Sequence, residues 1–129
     1  MSPLFYAHSG VRYLVLLAGV ATLGYAAFGL VTHRPVGRPM RILASVFMGS
    51  LDLQILLGIA LLFSGGFGAG VAGHFLPMVF AAAAAHVVFS VMRRRPPEKR
   101  SFAPYLVAAL IALTLIVLGV LALGRPIVG

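Results

Sequence analysis

Cysteine is absent from the chain, which excludes a disulfide framework and any thiolate metal site. A metal ion would have to be held by His, Met, Asp or backbone groups. Acidic residues are almost as scarce, with Asp52 and Glu98 standing against ten Lys and Arg. Only 9% of the 129 residues are charged, far below the roughly one quarter found in soluble domains. That scarcity excludes an ordinary water-soluble fold.

What fills the chain instead is apolar. Hydrophobic residues make up 61% and the mean hydropathy is +1.08, which predicts an integral membrane protein. A formal charge of +8 could suggest nucleic acid. However, Arg34, Arg38 and Arg41 fall in one short segment and Arg93, Arg94, Arg95, Lys99 and Arg100 in another, each beside an apolar run. That distribution is topological, so the expected partner is the lipid bilayer and not nucleic acid.

A bilayer core of about 30 Å needs roughly 20 apolar residues per helix. Four runs qualify, at about Val11–Val31, Ile42–Phe63, Phe75–Met92 and Phe102–Leu123. The residues before the first, "MSPLFYAHSG", carry no basic n-region, so that run reads as a span and not as a cleaved leader. The connections "THRPVGRPMR" and "RRRPPEKR" are basic and proline-punctuated, whereas "SGGFGAGVAG" is uncharged and glycine-rich. The positive-inside rule puts both basic loops in the cytoplasm, and both termini and the middle loop outside. Short turns between sequential spans predict an all-α, antiparallel, up-down-up-down four-helix bundle. Residues 1–129 form a single transmembrane domain in this reading, with no transporter-type repeat.

Within the spans, polar groups are few, and a charge at mid-membrane costs from about 2.5 kcal/mol upward. On the first helix His8, Arg12, Val15, Gly19, Thr22 and Ala26 recur at steps of three and four, forming one small, polar stripe predicted to face the bundle interior. On the second, Ser45, Met48 and Asp52 share a face near the midplane, and Gln54 points towards another neighbour. The third is expected to begin near His74, because Pro77 is tolerated in a first turn. His86 then lies about 18 Å deeper, at the level of Asp52. His8, Arg12 and His74 form an outer layer; Asp52 and His86 form a central one.

Two chemistries suit these layers. His8 and His74, on two helices at one depth, can flank the iron of a b-type haem, with Arg12 near its propionates. Asp52 and His86, with Gln54 nearby, form an intramembrane polar site that could relay protons or a metal ion. Against these stand structural readings: interfacial histidines bonded to loops or headgroups, and Asp52 as a buried acid paired with His86 or Arg12. His33 reads as a solvated loop histidine, and Met48 and Met78 as packing residues. Ser9 follows His8 directly, so the two point apart on a helix, and with no accompanying acid a hydrolase or transferase is the least favoured class.

The stretches "HSGVRYLVLL", "LDLQILLG" and "GHFLPMVFAAAAAHVVFSVMRRR" resemble small four-span bacterial membrane proteins loosely labelled cytochrome b or cytochrome b561-like. The resemblance covers three of the four helices and marks His8, Arg12, Asp52, Gln54, His74 and His86 as the matching positions. An acidic residue often precedes the third-helix histidine in that group; Gly73 stands there in this chain. The resemblance implies a bacterial inner-membrane protein that binds haem b and carries electrons, inside or beside a redox or respiratory complex. The alternatives are a cofactor-free assembly subunit, and a small proton or metal-ion conduit using Asp52 and His86.

Overall fold

The structure, a computed structural model, describes residues 3–65 and 71–124. It is all-helical, with α1 (Pro3–Thr32), α2 (Arg38–Gly65), α3 (Val71–Arg94) and α4 (Phe102–Leu121), and a 3₁₀ turn at Pro97–Lys99 before α4. All four helices are long and apolar enough to cross a membrane. The glycine-rich connection expected between the second and third spans falls largely at residues 66–70, outside the described residues, as does Arg125.

The helices overrun the apolar runs at several ends. Pro3 opens α1, where a missing N–H is harmless, and the helix continues through the polar residues from His8 to Arg12. The end of α1 is marked by His33, whose φ of 56° is left-handed, and the Arg34 N–H bonds the Gly29 carbonyl at 3.2 Å. That six-to-one bond is a Schellman closure, so His33 is an exposed helix stop. In α3 the start expected at His74 lies three residues further back, at Val71. Pro77 is consequently inside the helix, where it removes the bond to the Gly73 carbonyl. The C-terminal end of α3 is held by Arg100, whose guanidinium donates to the carbonyls of Met92, Arg93 and Arg95, each at 3.0 Å.

Around the bundle, α1 packs on α2 and α4, and α3 packs on α4; the seam between α2 and α3 is the thinnest. The stripe read on α1 turns inward: Val15, Ala18, Gly19, Thr22, Ala26 and Gly29 are buried. Close approach follows from the missing side chains. A Cβ on Gly19 would come within 2.6 Å of Leu113 and 2.9 Å of Phe47, and one on Gly29 would collide with the Phe102 ring. Thr22 reaches across from α1 to the Leu43 carbonyl on α2 at 3.1 Å. Between α3 and α4, Phe89 stacks on Tyr105 with ring centres 5.5 Å apart. These contacts close three sides of the bundle, and the α2–α3 side is the least tightly packed.

Candidate functional site

At the end of the bundle formed by the starts of α1 and α3 and the ends of α2 and α4 lies a cavity of about 260 Å³. His8, Ser9 and Arg12 enter its wall from α1, Gln54 and Gly58 from α2, and His74 and Met78 from α3; Val15, Leu51, Ile116 and Val120 are among its apolar lining. His8, Arg12 and His74, expected together in an outer layer, thus share one space, and Gln54, expected with Asp52 and His86, joins them there.

Each imidazole is set by backbone. The Gln54 amide donates to the His8 carbonyl at 2.7 Å, tying α2 to α1. Gly58, one turn further along α2, leaves room for the ring itself: a Cβ there would sit 3.3 Å from Cε1 of His8. Nδ1 of His74 lies 2.9 Å from the Gly119 carbonyl on α4. Because a carbonyl oxygen only accepts, Nδ1 carries the hydrogen, which in a neutral ring leaves the lone pair on Nε2. Gly119 permits this approach, since a Cβ there would come within 3.1 Å of both the His74 carbonyl oxygen and the Met78 methyl group. The two rings lie edge to face, with centres 6.3 Å apart and planes at 88°. Nδ1 of His8 and Oε1 of Gln54 are enclosed and have no hydrogen-bond partner among the described residues. Arg12 also lines the cavity, and its guanidinium donates to the Tyr13 hydroxyl at 2.8 Å.

Asp52 and His86 meet elsewhere, on the α2–α3 seam. Nε2 of His86 lies 2.8 and 2.7 Å from the two carboxylate oxygens of Asp52. Of the alternatives for Asp52, the partner is His86 and not Arg12. The pair is not enclosed, with 45% of the His86 and 42% of the Asp52 side chain accessible. Gln54, expected to belong with them, is separated from them by its rotation towards α1. Toward the basic end, Ser45 and Met48 border a small cleft with Arg41, Arg93 and Tyr105, and Ser50 bonds the Phe47 carbonyl of its own helix at 2.9 Å.

Gly58 and Gly119 were not singled out from the sequence as site residues. A glycine inside a helix costs about 1 kcal/mol against alanine, and Gly58 follows Gln54 by one turn on the same face. That pairing was the available signal. Gly119 offered none, because its partner is the backbone of a different helix.

No group of three or more His, Cys, Asp or Glu that could hold a metal ion occurs among the described residues. Comparison with family models, curated proteins and solved structures returns no match to this chain.

Proposed function

We propose that this chain is a small b-type-cytochrome-like membrane protein that holds a haem in the cavity between His8 and His74. In this reading it carries electrons in a bacterial inner membrane, inside or beside a larger redox complex. The observation that carries the reading is the relation between the two imidazoles. They come from two different helices, line the same cavity, and have ring centres 6.3 Å apart. Two imidazoles alone would leave a bare metal ion short of ligands, whereas a haem would supply most of its own and would be held by His8 and His74.

The chain's residues suit that task. His74 would ligate through Nε2, because its Nδ1–H is committed to the Gly119 carbonyl; such a bond fixes the tautomer and raises the basicity of the ligating nitrogen. His8 has an enclosed nitrogen without a partner, a state that costs about 1–3 kcal/mol unless something binds there. Gln54 holds the backbone of His8 in place. Arg12 puts positive charge at the cavity wall, where carboxylates of a ligand would be attracted. Most of the remaining lining is apolar, as a porphyrin face would require. A bound haem would supply a reversible one-electron iron couple.

Orientation follows from the loops. Arg34, Arg38, Arg41 and the Arg93–Arg100 segment lie at the end opposite the cavity, so the positive-inside rule puts the cavity and both termini on the outer side.

The test is an absorbance spectrum of protein purified after expression with haem supplied, before and after dithionite. A Soret shift and a sharp alpha band on reduction are expected, and both should vanish in His74→Ala. A spectrum without either feature in the wild-type protein overturns the proposal.

One observation favours a second reading, a cofactor-free assembly subunit. Gln54, His74 and the Asp52–His86 pair each bridge two helices, as a structural network would. Protein made without haem should then show the same thermal stability and complex assembly as protein made with it.

A further inference from the structure

The Asp52–His86 pair has a hydrogen-bonding capacity that its own chain does not use. Both carboxylate contacts go to Nε2. Nδ1 has no partner among the described residues and is not among the enclosed polar atoms. Asp52 lies at the middle of α2 and His86 towards the middle of α3, a depth at which a net charge is costly. Two net-neutral states exist. Either Asp52 is ionised and His86 is imidazolium, or the Asp52 hydroxyl donates to Nε2 of a neutral ring. In both, Nδ1 carries a hydrogen. The pair therefore presents one outward donor beside carboxylate oxygens with lone pairs to spare, on the thinnest seam of the bundle.

We propose that this face pairs with the same face of a second copy of the chain, about a two-fold axis along the membrane normal. Two copies inserted in the same direction carry their pairs at identical depth. A two-fold contact is self-complementary, so Nδ1–H of each His86 can donate to Asp52 of the other copy, closing a ring of four groups. This satisfies the donor and removes the half-exposed pair from lipid in one step. The flanking surface permits the approach. Ser45 and Gly49 lie exposed on the Asp52 side of α2, with nothing within 4 Å of a Cβ at Gly49. Small residues at such spacing let helix backbones come close in lipid. The proposal rests on the four helices spanning a membrane and is independent of haem binding.

The absence of cysteine allows a direct test. Gly49→Cys and Ser45→Cys, each the single thiol in the chain, are treated in native membranes with an oxidant or a short bis-maleimide. Leu17→Cys, 69% exposed on α1, serves as the control on another face. A species of twice the chain mass is expected for the two α2 variants and not for the control. Adding Asp52→Leu with His86→Leu, which exchanges the pair for apolar side chains, should lower that yield at least five-fold with helicity unchanged. Wild-type protein in lipid nanodiscs should show two copies by native mass measurement. The proposal is overturned by single copies in nanodiscs, equal cross-linking of the control, an unchanged yield in the double-leucine background, or cross-linking to a protein of different mass.

Discussion

The imidazole of His8 stands at 88° to that of His74, with 6.3 Å between ring centres, although 65 residues of chain separate them and they belong to different helices. Each ring is oriented by a third helix: His8 lies against Gly58 of α2, and His74 bonds the Gly119 carbonyl of α4.

Gly58→Ala tests the first of these supports. Its new methyl group would lie 3.3 Å from Cε1 of His8, close enough to tilt the ring, while alanine favours the helix by about 1 kcal/mol. Stability should hold or rise while haem retention falls several-fold, read as the ratio of Soret to protein absorbance. Retention equal to wild type would mean that the His8 orientation is not set by Gly58.

Gln54→Leu removes the donor to the His8 carbonyl. Interhelical hydrogen bonds inside membranes contribute about 0.6 kcal/mol on average, so a small drop in thermal stability in detergent is expected. A larger loss of haem retention than of stability would show that the amide positions His8, and does not merely tie α2 to α1.

For Asp52 and His86 the informative measurement is a double-mutant cycle. Removing one partner strands the other, whereas removing both does not. Asp52→Ala and His86→Ala should therefore each destabilise, and the double variant should cost less than their sum. Polar pairs between membrane helices show couplings of about 0.6 kcal/mol on average and at most about 1.7 kcal/mol, so a coupling of about 1 kcal/mol is expected. Additive effects would mean that the observed contact contributes nothing.

Two glycines of α1 should respond oppositely to alanine. Gly29 has no space for a Cβ because the Phe102 ring lies over it, while Gly24 has nothing within 4 Å. Gly29→Ala should cost about 1–3 kcal/mol through overpacking; Gly24→Ala should be neutral or slightly stabilising. Equal melting temperatures for the two would contradict the close α1–α4 approach.

Orientation has its own check. A periplasm-dependent reporter, alkaline phosphatase, should be active when fused to the C-terminus and inactive when inserted in the loop at 96–97. The reverse result would invert the bundle.

Much of this architecture was legible before any coordinates. The four helices follow from run length and apolarity, and the inward stripe of α1 from the three-and-four spacing of Val15, Gly19, Thr22 and Ala26. The depths of the polar residues followed too, since rise per residue is constant along a helix; Asp52 and His86 were expected at one level and are in contact. Less legible was where each group points across the bundle. Gln54 lies two residues from Asp52, yet it serves the His8 segment while Asp52 serves His86.

By itself, then, the sequence determined the number of helices, the inward stripe of α1 and the level of each polar group, because hydropathy, charge and helical rise are properties of single residues or of one helix. The tertiary structure alone decided which polar groups meet. Helix rotation and vertical register are set where two helices touch, through contacts such as Gly29 under Phe102 and Gly119 against the backbone of His74. No one helix encodes those contacts, and they bring His8 to His74 while leaving the Asp52–His86 pair half open on the α2–α3 seam.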